Sequence, residues 1–419
     1  MRRRHFLQLG SLAALGSWPG FADAHGKARG RVVIAGGGFA GSSCALYLKR
    51  AAPKLEVVLV DPETPYTSCP LSSGVLAGLR DLASLQVSRE GLQRAGVRYL
   101  RARVTTVDAQ HHRVHLDSGA TLAYERLVVA PGIRMRWGTP EGYDEAAAQR
   151  MPHAWIAGAQ TTLLARQLQA MDVGGVVAIS VPPAPYRCPP GPYERASLIA
   201  HFLKAHKPRG KVLIFDTNNH FPKQDRFNEA WQQFYPGLIE WIPVTEGGAV
   251  QRVEPEKMLL HTSSGAHTAA VANVIPPQAP GALALDTGLC SGHGWCPVKP
   301  ESFESTLIAD VHVIGDACIA GAMPKAASAA HSQGLRCALA LAAILDGQAA
   351  PDSSLNSVCY NLLAPGYAIS MHGRFGIADD AIAEIKDDPG EASGVPQDPV
   401  REAQAAEDWY REIVAQSFG

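Results

Sequence analysis

Three glycines and one acid early in the chain have the types and spacing that bind a dinucleotide. They belong to the run Gly36-Gly37-Gly38-Phe39-Ala40-Gly41. Gly36 allows a tight turn, Gly38 lets the backbone approach a pyrophosphate, and Gly41 lets the following helix pack on a strand. Asp61 follows twenty positions later, where a ribose hydroxyl would be bound. We therefore expect dinucleotide binding by this loop, including Phe39 and Ala40 at the helix N-terminus.

Cysteines are the other residues whose side chains could do chemistry. The chain has no CxxC and no Cys/His cluster at zinc spacing, so no metal site is expected. Most of the cysteines are interpreted as buried small hydrophobes. Cys188 differs because it lies in the proline-rich segment VVAISVPPAPYRCPPGPYERAS, residues 176–197. The eight are Cys44, Cys69, Cys188, Cys290, Cys296, Cys318, Cys337 and Cys359.

A first β–loop–helix–β unit must position the glycines. The apolar run 31–35 predicts a buried strand, 42–50 a helix, and 56–61 a second strand that ends in Asp61. Strand, helix and acid all stand where the glycine pattern requires them, which makes the dinucleotide prediction specific.

A second unit of the same kind carries Cys188. Its predicted elements are a strand at 176–181, a helix at 194–205 and a strand at 211–216. The connecting loop is rich in proline, which has no N–H and blocks close backbone approach, so the donors for a pyrophosphate are missing. Asp216 has the position of a ribose-binding acid and is interpreted as a strand-end cap. We expect this unit to keep the fold without a working NAD(P)H site.

Two later segments indicate FAD for the first unit. Residues 127–132 form a strand that runs into a Pro-Gly turn, and residues 311–317 form a strand followed by Gly-Asp. Both resemble segments of flavoproteins with two dinucleotide-binding domains, in which the second acid binds the FAD ribityl chain. The implied FAD contacts are Ala130, Gly132, Gly315 and Asp316.

Composition and the N-terminus limit the function further. With 419 residues, 46% hydrophobic residues and a formal net charge of −1, nothing suggests a nucleic-acid partner. Arg2-Arg3-Arg4-His5-Phe6, an apolar stretch and Ala22-Asp23-Ala24 predict a twin-arginine signal peptide over residues 1–24, and hence a periplasmic protein. No other apolar run reaches the length of a membrane span.

Several segments are specific enough to indicate a family. They are CPPGPYERAS at 188–197, GWCPV at 294–298, GDACIA at 315–320, MPK at 323–325 and LNSVCY at 355–360. Together they resemble the flavoprotein (FAD) subunit of flavocytochrome c sulfide dehydrogenase, SoxF-like relatives included, over nearly the whole mature chain.

The resemblance implies an α/β fold of the glutathione reductase-like type, with two dinucleotide-binding domains and a C-terminal α+β interface domain. The expected domains are an FAD-binding domain at 29–141 plus 280–350, an NAD-like domain without a working NAD site at 142–279, and a flavocytochrome c sulfide dehydrogenase-type domain at 351–419.

The resemblance also assigns roles to three of the cysteines. It implies a thioether between FAD and Cys69, the alternative being a loop cysteine with no bond to flavin. It implies a redox disulfide between Cys188 and Cys359. Cys290 and Cys296, which share one short loop, are a rival pair for that role or a second, structural contact.

The implied reaction is attack of hydrogen sulfide on the disulfide, with electrons passing to FAD and then to a cytochrome c, and sulfur or polysulfide as product. Glu194 is a candidate for proton transfer or a helix-start acid. Lys325 is a candidate for stabilising reduced flavin or a solvated lysine.

The electron acceptor is expected on another chain, because the sequence has no CxxCH for a c-type haem. The family implies a cytochrome c subunit that contacts residues 351–419, with Tyr360, Tyr367 and Trp409 as anchors or as core residues. Two alternatives remain. A sulfide:quinone oxidoreductase would need a membrane-binding C-terminus, and the tail from Asp379 is acidic. A SoxF-like accessory flavoprotein would act on a sulfur-oxidation complex by thiol exchange.

Overall fold

The structure is a computed structural model that describes residues 30–292, 294–386 and 398–419. The predicted signal peptide, residues 1–24, lies outside the described residues. None of the helices in the described part is long and apolar enough to span a bilayer.

The strands are β1 Arg31–Ala35, β2 Glu56–Val60, β3 Tyr66–Thr67, β4 Gln86–Val87, β5 Arg98–Leu100, β6 Val104–Asp108, β7 Arg113–Leu116, β8 Thr121–Ala123, β9 Arg126–Val129, β10 Ile133–Met135, β11 Val176–Val181, β12 Lys211–Asp216, β13 Ile239–Ile242, β14 Val250–Glu254, β15 Leu259–Thr262, β16 Gly265–Thr268, β17 Val271–Val274, β18 Gln278–Pro280, β19 Val311–Val313, β20 Leu355–Ala364, β21 Tyr367–Ala378 and β22 Ala381–Glu384. The α-helices are α1 Phe39–Ala51, α2 Ser73–Leu76, α3 Glu90–Arg94, α4 Ala159–Ala170, α5 Gly191–His206, α6 Gln224–Phe234, α7 Ala282–Asp286, α8 Ala327–Leu345 and α9 Pro399–Phe418.

A five-stranded parallel sheet in the order β19–β9–β1–β2–β5 contains the glycine-rich unit. β1 and β2 are apolar and buried almost throughout, as expected for parallel strands covered on both faces. α1 packs on α8, where a side chain at Gly334 would place its Cβ 2.4 Å from the Ala40 carbonyl oxygen. The sheet joins strands far apart in sequence, and the carboxyl ends of β1, β9 and β19 meet at one edge, where such sheets bind ligands.

A four-stranded parallel sheet in the order β13–β12–β11–β17 contains the proline-rich unit. The loop after β11 leads into α5, whose second residue is Pro192. Proline is tolerated there because the first N–H groups of a helix have no intrahelical partner. α5 is buried along most of its length and contacts both β12 and β20. The helix that follows Cys188 is therefore a central packing element.

The last described segment folds back onto both units. β20, β21 and β22 form an antiparallel sheet, and α9 packs on β21 and α1. At the end of α9 the ring of Phe418 stacks on Tyr66 with centroids 5.3 Å apart and meets Phe39 at 5.4 Å. The C-terminal helix thus supports the region next to the glycine-rich loop.

The α/β class predicted from the sequence is confirmed, and element bounds differ mainly at helix starts. β1, β11 and β12 have the predicted bounds. α1 begins at Phe39 rather than residue 42, and α5 at Gly191 rather than residue 194. In both units the loop is shorter than predicted, because the residues counted as loop already form the first helical turn.

Candidate active site

A cleft of about 730 Å³ runs along the carboxyl edge of the first sheet to the proline-rich unit. Its walls include the loop after β1, the loop after β2, the start of α5 and part of β20. Of the site residues predicted from the sequence, most line this cleft. Those that line it are Gly36, Gly38, Phe39, Ala40, Asp61, Cys69, Ala130, Gly132, Cys188, Glu194, Gly315, Asp316 and Cys359.

The glycine-rich end has the shape that a dinucleotide requires. A Cβ at Gly36 would lie 2.2 Å from the Ala130 carbonyl oxygen, and one at Gly41 would lie 1.9 Å from the Gly36 carbonyl oxygen. Gly41 itself packs behind the loop and does not line the cleft. At Gly38 the nearest atom to a Cβ is the Tyr66 hydroxyl, 3.8 Å away, so this position faces open space. The cleft reaches the N-terminus of α1, where phosphates are favoured, and these residues fit FAD.

Asp61 is held in this loop by a residue that the sequence analysis did not identify. The Asp61 carboxylate accepts a hydrogen bond of 2.6 Å from the Gly37 N–H and pairs with the Arg89 guanidinium at 3.2 Å. Arg89 is buried and also donates to the Gly37 carbonyl and to Ser42 Oγ. Arg89 lies directly before α3, in a segment distant in sequence from the glycine-rich loop, and no sequence motif includes it. Only the fold therefore reveals that it pairs with Asp61.

The other end of the cleft contains Cys188 and Cys359. Burial raises the pKa of the Cys188 thiol well above its usual range, and the neighbouring Cys359 and Glu194 raise it further. Burial, followed by Glu194, raises the pKa of the Cys359 thiol to about 12. Cys188, Cys359 and Glu194 all line this end of the cleft, although they come from the loop before α5, from β20 and from α5. Both sulfurs are free thiols in the structure.

Cys188 is placed by an unusual backbone conformation. Its φ is +54°, in the left-handed region that residues with a Cβ rarely adopt and that is often found at functional sites. Its N–H donates to the Lys325 carbonyl oxygen at 2.7 Å, and its own carbonyl accepts from the Gly191 N–H at 2.8 Å. The proline-rich loop therefore directs one cysteine into the cleft.

Glu194 is a buried carboxyl beside the two thiols. Its side chain accepts a hydrogen bond of 3.0 Å from the Leu362 N–H, which connects α5 to β20. Burial raises the pKa of Glu194 to about 7. A carboxyl that titrates near neutral pH can both take and return a proton.

Two arginines that the sequence analysis did not identify place positive charge at this end. Arg187 donates to the Trp155 carbonyl, and its guanidinium lies 3.9 Å from the Asp316 carboxylate. Burial lowers the pKa of Arg187, but the charges of Cys69, Asp316 and Cys188 outweigh burial and raise it. The sequence does contain one indication that Arg187 belongs to the site, because this residue immediately precedes Cys188.

Arg195 is the second of these cations. It is buried, lies over the Trp155 ring at 4.8 Å and donates to the carbonyl of Ala154 at 2.7 Å and to Asn273 Oδ1 at 3.0 Å. Burial lowers its pKa to about 10, so the guanidinium remains charged at neutral pH. Its charge acts to lower the pKa of Glu194, against the larger opposite effect of burial.

Cys69 and Lys325 occupy different positions relative to the cleft. Cys69 lines it, and its Sγ accepts a hydrogen bond of 3.5 Å from the Ala157 N–H. The Lys325 ammonium does not line the cleft and donates instead to the carbonyls of Asp316 at 2.7 Å and Cys318 at 3.1 Å. Lys325 thus contributes to this end through its backbone carbonyl, which holds Cys188.

In the second unit the acid at the end of β12 is enclosed by aromatic side chains. Asp216 is fully buried and accepts hydrogen bonds from the Tyr193 hydroxyl at 2.6 Å and from the Trp241 indole N–H at 2.9 Å. The Tyr193 ring stacks on Phe221 with centroids 3.6 Å apart. Among the described residues, no group of three or more His, Cys, Asp or Glu side chains is arranged to hold a metal ion.

Comparison with known families gives three matches along the chain. Residues 161–276 match the central region of the flavoprotein chain of sulfide dehydrogenase [flavocytochrome c]. Residues 351–418 match the flavin-binding region of flavocytochrome c sulphide dehydrogenase. Residues 30–155 match pyridine nucleotide-disulphide oxidoreductases.

Individual relatives agree with these matches. The chain is 49% identical over 45 residues to the sulfide dehydrogenase [flavocytochrome c] flavoprotein chain of Chlorobaculum thiosulfatiphilum, covering 11% of this chain and 94% of the relative. It is 22% identical over 323 residues to the mitochondrial sulfide:quinone oxidoreductase of Mus musculus, covering 73% and 69%. The fold is similar to that of the sulfide:quinone oxidoreductase of Aquifex aeolicus, with a TM-score of 0.71, 17% identity and 92% of each chain covered.

Proposed function

The chain belongs to the family of flavocytochrome c sulfide dehydrogenase flavoprotein chains, flavin-dependent oxidoreductases that act on sulfide, and we propose that it oxidises sulfide in the periplasm and passes the electrons to a c-type cytochrome subunit. The observation that carries the proposal is the cleft itself. One end has a glycine-rich dinucleotide loop, and the other is lined by Cys188, Cys359 and Glu194.

FAD would be held by the loop after β1 and by Asp61 at one end and by the Gly315–Asp316 turn farther along the cleft. When bound, FAD accepts two electrons from a reduced sulfur centre and releases them to an acceptor. Cys69 lines the same cleft, which supports the proposed thioether to the cofactor.

The substrate step belongs to the two cleft cysteines in their disulfide form. A hydrosulfide anion attacks one sulfur, the S–S bond breaks, and the products are a persulfide on one cysteine and a thiolate on the other. Arg187 and Arg195 favour the entry of an anion and the thiolate that forms. Glu194, whose pKa is near 7, exchanges the proton of the sulfide or of the released thiol.

NAD(P)H is not part of the proposed reaction. The donors that would bind its pyrophosphate are replaced by prolines such as Pro189 and Pro190 in the loop before α5. Asp216, which would bind its ribose, is committed to Tyr193 and Trp241. These two features support the loss of a nicotinamide site in an otherwise intact α/β unit.

The acceptor is proposed to dock near the C-terminal segment. Trp409 and Tyr360 line the cleft with ring centroids 5.7 Å apart, so an acceptor placed over them would approach the cofactor. Tyr367 instead packs on Phe234 at 4.8 Å, which favours a core role. A quinone is the second candidate acceptor, because relatives such as the mouse enzyme are named sulfide:quinone oxidoreductases.

The test is to mix the purified flavoprotein anaerobically with sulfide and follow bleaching of the flavin absorbance. The reduced protein is then mixed with c-type cytochrome from the same periplasm or with a soluble quinone. We expect rapid bleaching with sulfide, none with NADH, and reoxidation by the cytochrome. Preferential reoxidation by quinone would replace the acceptor, and rapid bleaching by NADH would overturn the loss of the nicotinamide site. An absence of bleaching by sulfide would refute the proposed activity and favour the SoxF-like accessory role.

A further inference from the structure

A second pair of thiols lies outside the cleft. The Sγ atoms of Cys290 and Cys296 are 3.4 Å apart. Cys290 is partly exposed, whereas Cys296 is fully buried. The pair combines close sulfurs with access from solvent to one of them, which is what thiol–disulfide exchange requires.

The buried member of this pair is joined to the wall of the cleft. The Cys296 N–H donates to the Ala317 carbonyl at 3.1 Å, and the Cys296 carbonyl accepts from the Ile319 N–H at 2.8 Å. The same turn carries Asp316, which lines the cleft. The thiol pair therefore lies directly behind the turn that follows β19.

The neighbouring Trp295 connects the pair to Cys188. The Lys325 ammonium lies 3.7 Å from the centre of the Trp295 ring, and the Lys325 carbonyl accepts the hydrogen bond from the Cys188 N–H. A cation over an indole face is stabilised, and more strongly when water is excluded. Whatever fixes Trp295 therefore also restrains the lysine that holds Cys188.

We propose that Cys290 and Cys296 form a second dithiol–disulfide couple of this chain, closed by a small disulfide oxidant, and that the closed form fixes Trp295 over Lys325. A disulfide requires sulfurs about 2.05 Å apart, so closure needs a displacement of little more than an ångström from the 3.4 Å observed. The couple does not depend on sulfide oxidation, because neither sulfur lines the cleft.

The exchange reaction begins at Cys290. Burial raises the pKa of the Cys296 thiol, which makes Cys296 a poor first nucleophile. The Cys290 thiolate attacks one sulfur of the oxidant, forms a mixed disulfide and releases one thiol. Cys296 then loses its proton and attacks the Cys290 sulfur, which releases the second thiol. Overall, two cysteine thiols and one oxidant disulfide become one protein disulfide and two oxidant thiols.

The test is peptide mapping of the full flavoprotein, purified without reductant and incubated with oxidised glutathione. Free thiols are blocked with N-ethylmaleimide in acid, and the chain is cut with chymotrypsin, which cleaves after Trp295 between the two cysteines. We expect a linked pair of peptides containing Cys290 and Cys296 that separates on reduction. Maleimide on both cysteines after this treatment would overturn the proposal.

Two variants identify the partner of Cys296. Cys318 is the rival, because it forms a β-bridge with Cys296. Cys290→Ser should abolish the linked peptides, and the matched control Cys318→Ser should keep them. The reverse pattern would show a Cys296–Cys318 bond and refute the proposal.

A stability measurement tests the effect of closure. Reductant should lower the thermal midpoint of the wild-type protein by roughly 2–4 °C more than that of Cys290→Ser, because the disulfide closes a short loop. Equal shifts in the two proteins would contradict the claim that closure fixes this part of the fold.

Discussion

The two β–loop–helix units of this chain share a backbone plan and differ in what their loops contain. The first loop consists of small residues, presents Gly38 to open space and keeps Asp61 at the edge of the cleft. The second loop is rich in proline, and its acid, Asp216, is buried under aromatic side chains. The same strand–helix junction thus leaves open space at Gly38 in one unit and holds Cys188 in a left-handed backbone conformation in the other.

The two loops differ in residue type, although the strands and helices around them have the same arrangement. Glycine supplies N–H groups and room, whereas proline removes the N–H and fixes φ. In the second unit the room is filled by Tyr193 and Phe221, and the loop directs Cys188 into the cleft formed with the first unit. The proposed FAD-binding residues of one unit and the proposed reactive cysteine of the other therefore line a single cleft.

The largest effect should come from removing the proposed sulfur chemistry at the Cys188 end of the cleft. Cys188→Ser and Cys359→Ser each remove one half of the proposed disulfide, so sulfide-dependent bleaching of the flavin should slow by roughly 10³-fold or more. The flavin content should be unchanged, because the glycine-rich loop remains. Stopped-flow absorbance measures the rate, and Cys290→Ser is the control for the rival cysteine pair. If only Cys290→Ser abolishes bleaching, the reactive disulfide lies elsewhere.

Replacing each of the two acids, Asp61 and Asp216, by alanine should affect FAD binding in one case and the stability of the fold in the other. Asp216→Ala leaves the Tyr193 hydroxyl and the Trp241 indole N–H without their acceptor, and we expect a loss of about 2–4 kcal/mol in the free energy of unfolding. Asp61→Ala should weaken FAD binding by about 10- to 100-fold. Denaturant melts and FAD titrations measure the two effects, the latter in a Cys69→Ser background so that a covalent bond cannot retain the cofactor. A loss of FAD affinity in Asp216→Ala that equals that of Asp61→Ala would contradict the comparison.

Glu194 should make stability depend on pH. Burial raises its pKa from an ordinary value of 4.5 to about 7 in the folded chain. The folded state therefore binds this proton more tightly than the unfolded state, and its contribution is complete below pH 4.5 and lost as the pH rises to about 7. Glu194→Gln should remove up to about 3 kcal/mol of this decline. Urea melts of both proteins at pH 5 and pH 8 measure it, and parallel declines in the two proteins would refute the assignment.

The smallest effect should distinguish the two tyrosines that contact the acids. Tyr193→Phe removes a buried hydrogen bond to the Asp216 carboxylate, and a loss of about 1.5 kcal/mol is expected. Tyr99→Phe is the matched control, because Tyr99 is partly exposed and donates to the backbone carbonyl of Asp61 at 2.9 Å. Its loss should be about 0.5 kcal/mol or less. Equal losses in the free energy of unfolding, measured by denaturant melts, would mean that the hydrogen bond to Asp216 stabilises the fold no more than the one to Asp61.

Local sequence patterns predicted the bounds of the strands well, but they did not predict the partners of the charged side chains. The bounds of β1 and β12 follow from short apolar runs with clear ends. Arg89 could not be predicted as the partner of Asp61, because the two meet only after distant segments fold together. The sequence left Lys325 as a candidate for stabilising reduced flavin or as a solvated lysine, and it could not predict that its ammonium donates to the backbone carbonyls of Asp316 and Cys318. Arg187 could be noticed beside Cys188 in the sequence, but its ion pair with Asp316 depends on the tertiary fold.

The cleft also constrains the order of events during biosynthesis. Its walls include Gly36, from the beginning of the first sheet, and Trp409, from the final helix. A nascent chain still attached to the ribosome lacks the later wall, and Cys188 has no opposing Cys359 until β20 has emerged and packed on α5. The cleft is therefore complete only when the last helix has packed, and a chain truncated before β20 would retain the glycine-rich loop but have no partner for Cys188.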